Sequence, residues 1–254
     1  MRLRQLVLVT KEIDSLADQI CELFELKISF CDPELIHFGL ENRMIPVGDT
    51  FIEIVSPVQK NTTAERFLIK RNGPGGYMVI VDVEDFEHEK QRIKNENLKI
   101  IWHENRNIDG IRAQALHLHP KQIGGAILSL DSMIPDSAWL WAGTNWRGDI
   151  NQSLVDNLTG VVLKSQNPEK LCANWEVALG KKRNRSVDEF SIELEKSNIK
   201  FIEGKDGLGE SVDAFILSTR KSGEIYKRAK ERGFIRNNMV ALGGVNFILS
   251  KTNN

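Results

Sequence analysis

Cysteine is scarce in this chain: Cys21, Cys31 and Cys172 are the only three, an odd number with no C-x-x-C spacing. That argues against a disulfide framework and for reduced thiols in a cytoplasmic setting. Cys21 and Cys172 fall within apolar helical patterns and read as packing residues rather than nucleophiles. Long apolar runs are missing as well. No stretch approaches the roughly 20 residues that cross a bilayer, and the opening MRLRQLVLVT turns charged too soon for the apolar region of a secretory leader. The expected location is cytoplasmic, away from membranes. Neither sign of charge prevails, since 34 basic residues face 35 acidic ones for a formal net charge of -1. Without a global positive field, nucleic acid is not an expected partner.

What is present is globular material: 254 residues, 41% of them hydrophobic, enough for one large or two small domains with a substantial core. Residues 3–9 alternate and are β-branched, which predicts a strand. Residues 11–26 then set Ile13, Leu16, Ala17, Ile20, Leu23 and Phe24 on one helical stripe. Strands are expected at 36–47 and 50–55, joined by a Gly48-Asp49 turn. A helix at 62–71 is broken by the run Asn72-Gly-Pro-Gly-Gly. That run is no dinucleotide fingerprint, because a helix precedes it and a strand follows. The plan restarts with a strand at 77–83, a helix at 86–97 and strands near 100–103, 111–119 and 126–130. These are two copies of β-α-β-β-β.

A stretch with Pro, Trp and Gly at 134–148 reads as a linker or flap, and the plan then begins a third time. A strand at 158–164 leads to a helix opened by Asn167 as N-cap with Pro168 in its first turn, and Gly180 stops that helix after Leu179. Strands follow at 189–194 and 199–202. The fourth copy has a strand at 214–218, a helix at 223–232 stopped by Gly233, and a strand at 245–249. The expected division is a paired-module domain over 1–131, a Trp-rich linker or flap over 132–153, and a degenerate second paired-module domain over 154–254. The basic run at 181–185 reads as a solvated loop.

Three stretches carry a resemblance. They are RMIPVGDTFIEIVSP from Arg43 to Pro57, GYMVIVDVED from Gly76 to Asp85, and HPKQIGGAILSLD from His119 to Asp131. In this order and spacing they resemble the vicinal-oxygen-chelate superfamily of glyoxalase I, methylmalonyl-CoA epimerase, bleomycin-resistance proteins and extradiol dioxygenases. The version with Asn42, Gly48-Asp49 and Glu53 is most similar to the glyoxalase-like branch. The resemblance implies an α+β fold in which repeated βαβββ modules form two cup-shaped, curved mixed sheets flanked by helices. It also implies a divalent metal held by one inward residue from each of four strands. Strand alternation puts Gln5, Glu53, Met78 and Ser129 at those positions. Glu53 alone is a good ligand for such an ion, since a thioether and a neutral hydroxyl add little. The expectation is therefore no metal, no cofactor, and no electrophilic polarisation of a carbonyl by an ion. In the second half the corresponding positions, near Gly160, Phe201, Ala214 and Phe247, hold no ligand type, so that half is expected to serve as scaffold.

Glu53, His117 and His119 are the candidate catalytic residues. A carboxylate in an apolar cup has its charged form penalised, which suits proton abstraction beside a carbonyl; Glu53 reads equally as a partner for Arg43 or Arg112 across the sheet. His117 and His119 lie two apart on a strand and project to one face. They read as general acid and base, as co-ligands of Glu53 in a relocated metal site, or as a strand-end cap and a half-exposed hydrogen-bonding residue. Gln5, Asn42, Met78, Ser129 and Trp102 are the candidate substrate-binding residues. Trp139, Trp141 and Trp146 read as a flap over a ligand or as seam filling.

The leading expectation is a metal-independent or divergent lyase or isomerase acting on a small carbonyl or carboxylate compound. The alternative is a non-catalytic small-molecule binder of the bleomycin-resistance type, and a third reading is an interaction scaffold with a self-filled cup. The expected partner is a small molecule, and exposed sheet edges are compatible with a homodimer.

Overall fold

The computed structural model describes residues 1–186, 189–205, 207 and 209–252. The first repeat is β1 (Arg2–Val9), α1 (Ile13–Phe24), β2 (Leu40–Val47) and β3 (Thr50–Pro57), followed by α2 (Thr63–Arg71). The second is β4 (Gly75–Asp82), α3 (Phe86–Asn95), β5 (Ile100–Ile108), β6 (Ile111–Leu118), the short α4 (Pro120–Ile123) and β7 (Ile127–Ile134). The third is β8 (Leu158–Ser165), α5 (Pro168–Leu179), β9 (Arg183–Arg185), β10 (Phe190–Leu194) and β11 (Ser197–Glu203). The fourth is β12 (Ser211–Thr219), α6 (Ser222–Glu231), β13 (Ile235–Arg236), β14 (Met239–Leu242) and β15 (Val245–Lys251).

Each repeat pairs its first strand parallel with its last and folds the strands between as an antiparallel meander. Thus β1 is parallel to β3, β4 to β7, β8 to β11 and β12 to β15. In the first repeat an isolated Phe30–Met44 bridge stands where the others have an outer strand. The result is an α+β fold of two mixed, curled sheets flanked by helices.

Local chemistry explains the helices. All six apolar residues of the α1 stripe are buried. Thr62, Asp85 and Asn167 cap α2, α3 and α5 by accepting the N–H of Glu65, His88 and Lys170, satisfying donors that a first turn leaves unpaired. Gly180 ends α5 in the left-handed region at φ 61°.

The sequence reading misplaced three features. Residues 36–38 are not strand but the end of a 3-10 turn, Pro33–Phe38. Asp32 opens it by accepting the Glu34 N–H, and Gly39 closes it at φ 67°. The basic run read as loop contributes Arg183–Arg185 as a short strand antiparallel to β10. The strands β13 and β14 were not foreseen.

Two compact units emerge. Unit 1 gathers Met1–Arg4, Met78–Leu140 and Gly160–Asp213; unit 2 gathers Gln5–Tyr77, Trp141–Thr159 and the chain from Ala214 on. In unit 1, Trp175 of α5 is fully buried, packs edge-on near Phe201 of β11 at 6.1 Å, and donates Nε1–H to the Gly124 carbonyl. Arg92 of α3 donates to the carbonyls of Val177 and Ala178 at 2.7 and 2.6 Å, covering the C-terminal end of α5. In unit 2 the two-residue turn between β2 and β3 requires glycine at 48. Its φ is 59°, and an added Cβ would lie 2.1 Å from the Asp156 carbonyl oxygen. Trp139 in unit 1 and Trp146 in unit 2 are buried, the first under the Arg4 guanidinium at 5.0 Å and the second edge-on to Phe51 at 4.9 Å.

Candidate functional site

In unit 2, β1, β3 and β2 lie side by side, with Val7 opposite Glu53, Gln5 opposite Phe51, and Met44 opposite Glu53 from the other side. Alternation gives the strands two distinct faces. Leu8 lies close to Leu16 of α1, around the position a Gly243 side chain would take, and Arg43 reaches Asp14 of α1 at 2.7 Å. The helix therefore covers the face of Leu8 and Arg43. Gln5, Val7, Asn42, Met44, Phe51 and Glu53 occupy the opposite face. Arg43 is consequently not the partner of Glu53, contrary to one of the two readings of that carboxylate.

Glu53 is held by amides instead. Gln5 Nε2 donates to Glu53 Oε2 and Asn42 Nδ2 to Glu53 Oε1, both at 2.7 Å. All three side chains are buried, Glu53 being 8% exposed. A carboxylate offers about four lone-pair positions, and these two bonds engage one on each oxygen. Burial pushes the Glu53 carboxyl up from 4.5 to about 7, the bonds from Asn42 and Gln5 pull it down, and the Asp32 carboxylate pushes it up. Desolvation wins, and Glu53 titrates at neutral pH.

Unit 1 places the other candidates. On β6, His117 lies opposite Trp102 of β5 and Ser129 of β7, and its ring centroid is 4.4 Å from that of Trp102. Burial holds the imidazole neutral by pushing its pKa down to about 4. Met78 pairs with Ile127, and Ser129 with Ile80. The Ser129 hydroxyl lies 3.3 Å from the Leu116 carbonyl and also bonds the Asp131 carboxylate. His119 caps α4, its Nδ1 accepting the Lys121 N–H at 3.1 Å. This is the strand-end cap reading of that residue. His119→Ala should therefore lower stability by about 1 kcal/mol, as a urea titration would show.

The metal implied by the resemblance fails a test of donor chemistry. In unit 2, Gln5 and Asn42 turn N–H groups toward the two Glu53 oxygens, so hydrogens occupy directions an ion would need. In unit 1 the remaining positions hold a Met78 thioether and a Ser129 hydroxyl bonded to Asp131, both poor ligands. Among the described residues no group of three or more His, Cys, Asp or Glu is arranged to hold a metal. That includes the relocated set of Glu53, His117 and His119.

Sequence reasoning missed Asp32, whose backbone N–H bonds Asn42 Oδ1 at 2.7 Å, and Asp131 beside Ser129. The Asp32-Pro33 pair, a turn opener, and the two-residue spacing of Ser129 and Asp131 were the available signals. No helix among the described residues is long and apolar enough to cross a membrane.

No protein-family model matches the chain, and no curated protein does. Solved structures do. A hypothetical protein from Staphylococcus aureus aligns over 99% of both chains at 10% identity with a TM-score of 0.70. A variant of 4-hydroxymandelate synthase from Streptomyces coelicolor aligns over 92% of this chain and 75% of its own at 11% identity with a TM-score of 0.66. A partial match, over 52% of this chain and 87% of the other, is to methylmalonyl-CoA epimerase from Mycobacterium tuberculosis, at 18% identity and a TM-score of 0.44.

Proposed function

We propose that this chain, which has the vicinal-oxygen-chelate fold, is a metal-independent lyase or isomerase that uses Glu53 to move a proton on a small carbonyl compound. The observation that carries this reading is the buried Glu53 carboxyl, fixed by two amides and titrating at about 7. A base is most effective when its pKa lies near the working pH. The carboxylate takes the proton from the carbon beside the carbonyl, and the C–H electron pair passes into the enolate. The Glu53 carboxylic acid trades that proton with solvent and returns one at another position, giving an isomer, or the enolate expels a β-substituent that leaves with the proton from Glu53, giving an unsaturated product. One group serves as base and acid in turn. His117, held neutral, and His119, engaged at a helix cap, receive no proton-transfer role in this reading. An uncharged carbonyl compound suits the site better than a carboxylate, because Glu53 and Asp32 would repel an anion.

The test is exchange of carbon-bound hydrogen with D2O, followed by proton NMR over a panel of small aldehydes, ketones and hydroxyketones in the presence of EDTA. Exchange that survives EDTA and falls on the order of 100-fold or more in Glu53→Gln is the expected result. Exchange that persists in the variant, or that EDTA removes, would overturn it. The engagement of both Glu53 oxygens favours a second reading, a binder without turnover. That reading predicts ligands that raise Tm yet exchange no hydrogen.

A further inference from the structure

We infer that Asn42 is a positioning residue for Glu53, oriented by the backbone N–H of Asp32, and not a contact for substrate. The inference rests on the reading of Glu53 as the base. Asp32 N–H can only donate, so Asn42 must turn Oδ1 toward it, which they do at 2.7 Å. The other end of the amide is then obliged to present Nδ2–H, and that group meets Glu53 Oε1 at 2.7 Å. Asn42 is 2% exposed, with one donor spent on Glu53 and its acceptor on Asp32, which leaves little of it to meet a ligand.

The chain of bonds ties the carboxylate to the Pro33–Phe38 turn, because Asp32 also holds that turn's first N–H, from Glu34 at 2.9 Å. The seating of a surface turn thereby fixes the direction and hydrogen-bonding of the base. The side chains that β1, β2 and β3 present on this face around Glu53 are Gln5, Val7, Asn42, Met44, Phe51 and Val55, none of them charged. Asp32 is the charged neighbour acting on Glu53, and as an anion it opposes ionisation.

Asn42→Asp keeps the size and the acceptor for Asp32 but replaces the donor with a second carboxyl, which acts on Glu53 in the same upward direction. Asp32→Pro removes the orienting N–H at a φ of -78° that proline tolerates. Asp32→Ala is its control, retaining the N–H while losing, as proline does, both the charge and the cap on Glu34. Carbon-13 NMR of Glu-labelled protein reads the Glu53 titration with no substrate present. The midpoint should rise by about one pH unit or more in Asn42→Asp. It should also stand higher in Asp32→Pro than in Asp32→Ala. With a substrate from the exchange panel, kcat should fall on the order of 10- to 100-fold while KM stays near the wild-type value. A midpoint unmoved in Asn42→Asp and equal in the two Asp32 variants, all three folded by circular dichroism, would overturn the inference. So would a raised KM with kcat preserved, the mark of a substrate contact. Because the titration needs no turnover, failure of the exchange assay alone would count against Glu53 as a base and leave the Asn42 result standing.

Discussion

Replacing Glu53 by glutamine is expected to change how stability depends on pH, with the variant gaining on the wild type by up to about 3 kcal/mol between pH 5 and pH 8. The unfolded carboxyl titrates at 4.5 and the folded one at about 7. Between those values the folded state holds a proton that the unfolded state has released. Wild-type stability from this group is therefore full below 4.5 and declines as pH rises through about 7. Glutamine does not titrate. It does set an N–H against one of the two amide donors, a penalty that shifts the whole curve down without altering its slope. His117 acts with the opposite sign, since its value falls from 6.5 to about 4 on folding. Its contribution is complete above 6.5 and is lost as pH falls through about 4. In the wild type the two slopes oppose each other between 4.5 and 6.5, so a shallow profile there conceals both. Urea unfolding across pH on wild type, Glu53→Gln and His117→Asn separates them. Parallel curves for wild type and Glu53→Gln would mean that Glu53 titrates as an exposed carboxyl does.

Trp175→Ala should cost about 3–5 kcal/mol, the range for removing a large buried aromatic side chain. The ring is fully buried, and its loss opens a void beside Phe201 and leaves the Gly124 carbonyl without the indole N–H. For a chain of this size each kcal/mol moves Tm by roughly 2–4 °C, so calorimetry should register a drop on the order of 10 °C. Trp175→Phe should recover part of that loss, because it restores apolar volume but not the donor. A change of only a degree or two in the alanine variant would mean that the surrounding residues close over the gap.

Much of the fold was legible because local chemistry and tertiary packing agree. The Asn167-Pro168 opening and Gly180 stop define α5 in sequence and structure alike, and the apolar stripe of α1 is the buried stripe. The reading failed where short segments take their state from neighbours. Ile36 and Phe38 look like strand residues, yet the Asp32 cap and Gly39 wind them into a turn and leave both exposed, at 51% and 46%. β13 has two residues and β14 four, too few for a period to register. At the site, alternation put Gln5 and Glu53 on one face, but residue type alone could not say that Gln5 and Asn42 spend their amides on Glu53. That depends on register: Asn42 faces Val55, two positions from Glu53 on the same face, and this diagonal step is what lets its amide arrive.

Unit 2 is assembled from three separated stretches of chain, and this sets the order in which a nascent polypeptide can complete it. Glu25 bonds Arg228 at a sequence separation of 203, and the Phe24 ring lies 5.2 Å from Phe247. During synthesis Phe24 must wait for all the residues up to Phe247 before this packing partner leaves the ribosome. Contacts of such long sequence separation form slowly. The Phe24 end of the α1 stripe is therefore left without its aromatic partner while the intervening chain is made. Loss of β15 would leave Phe24 without its aromatic partner.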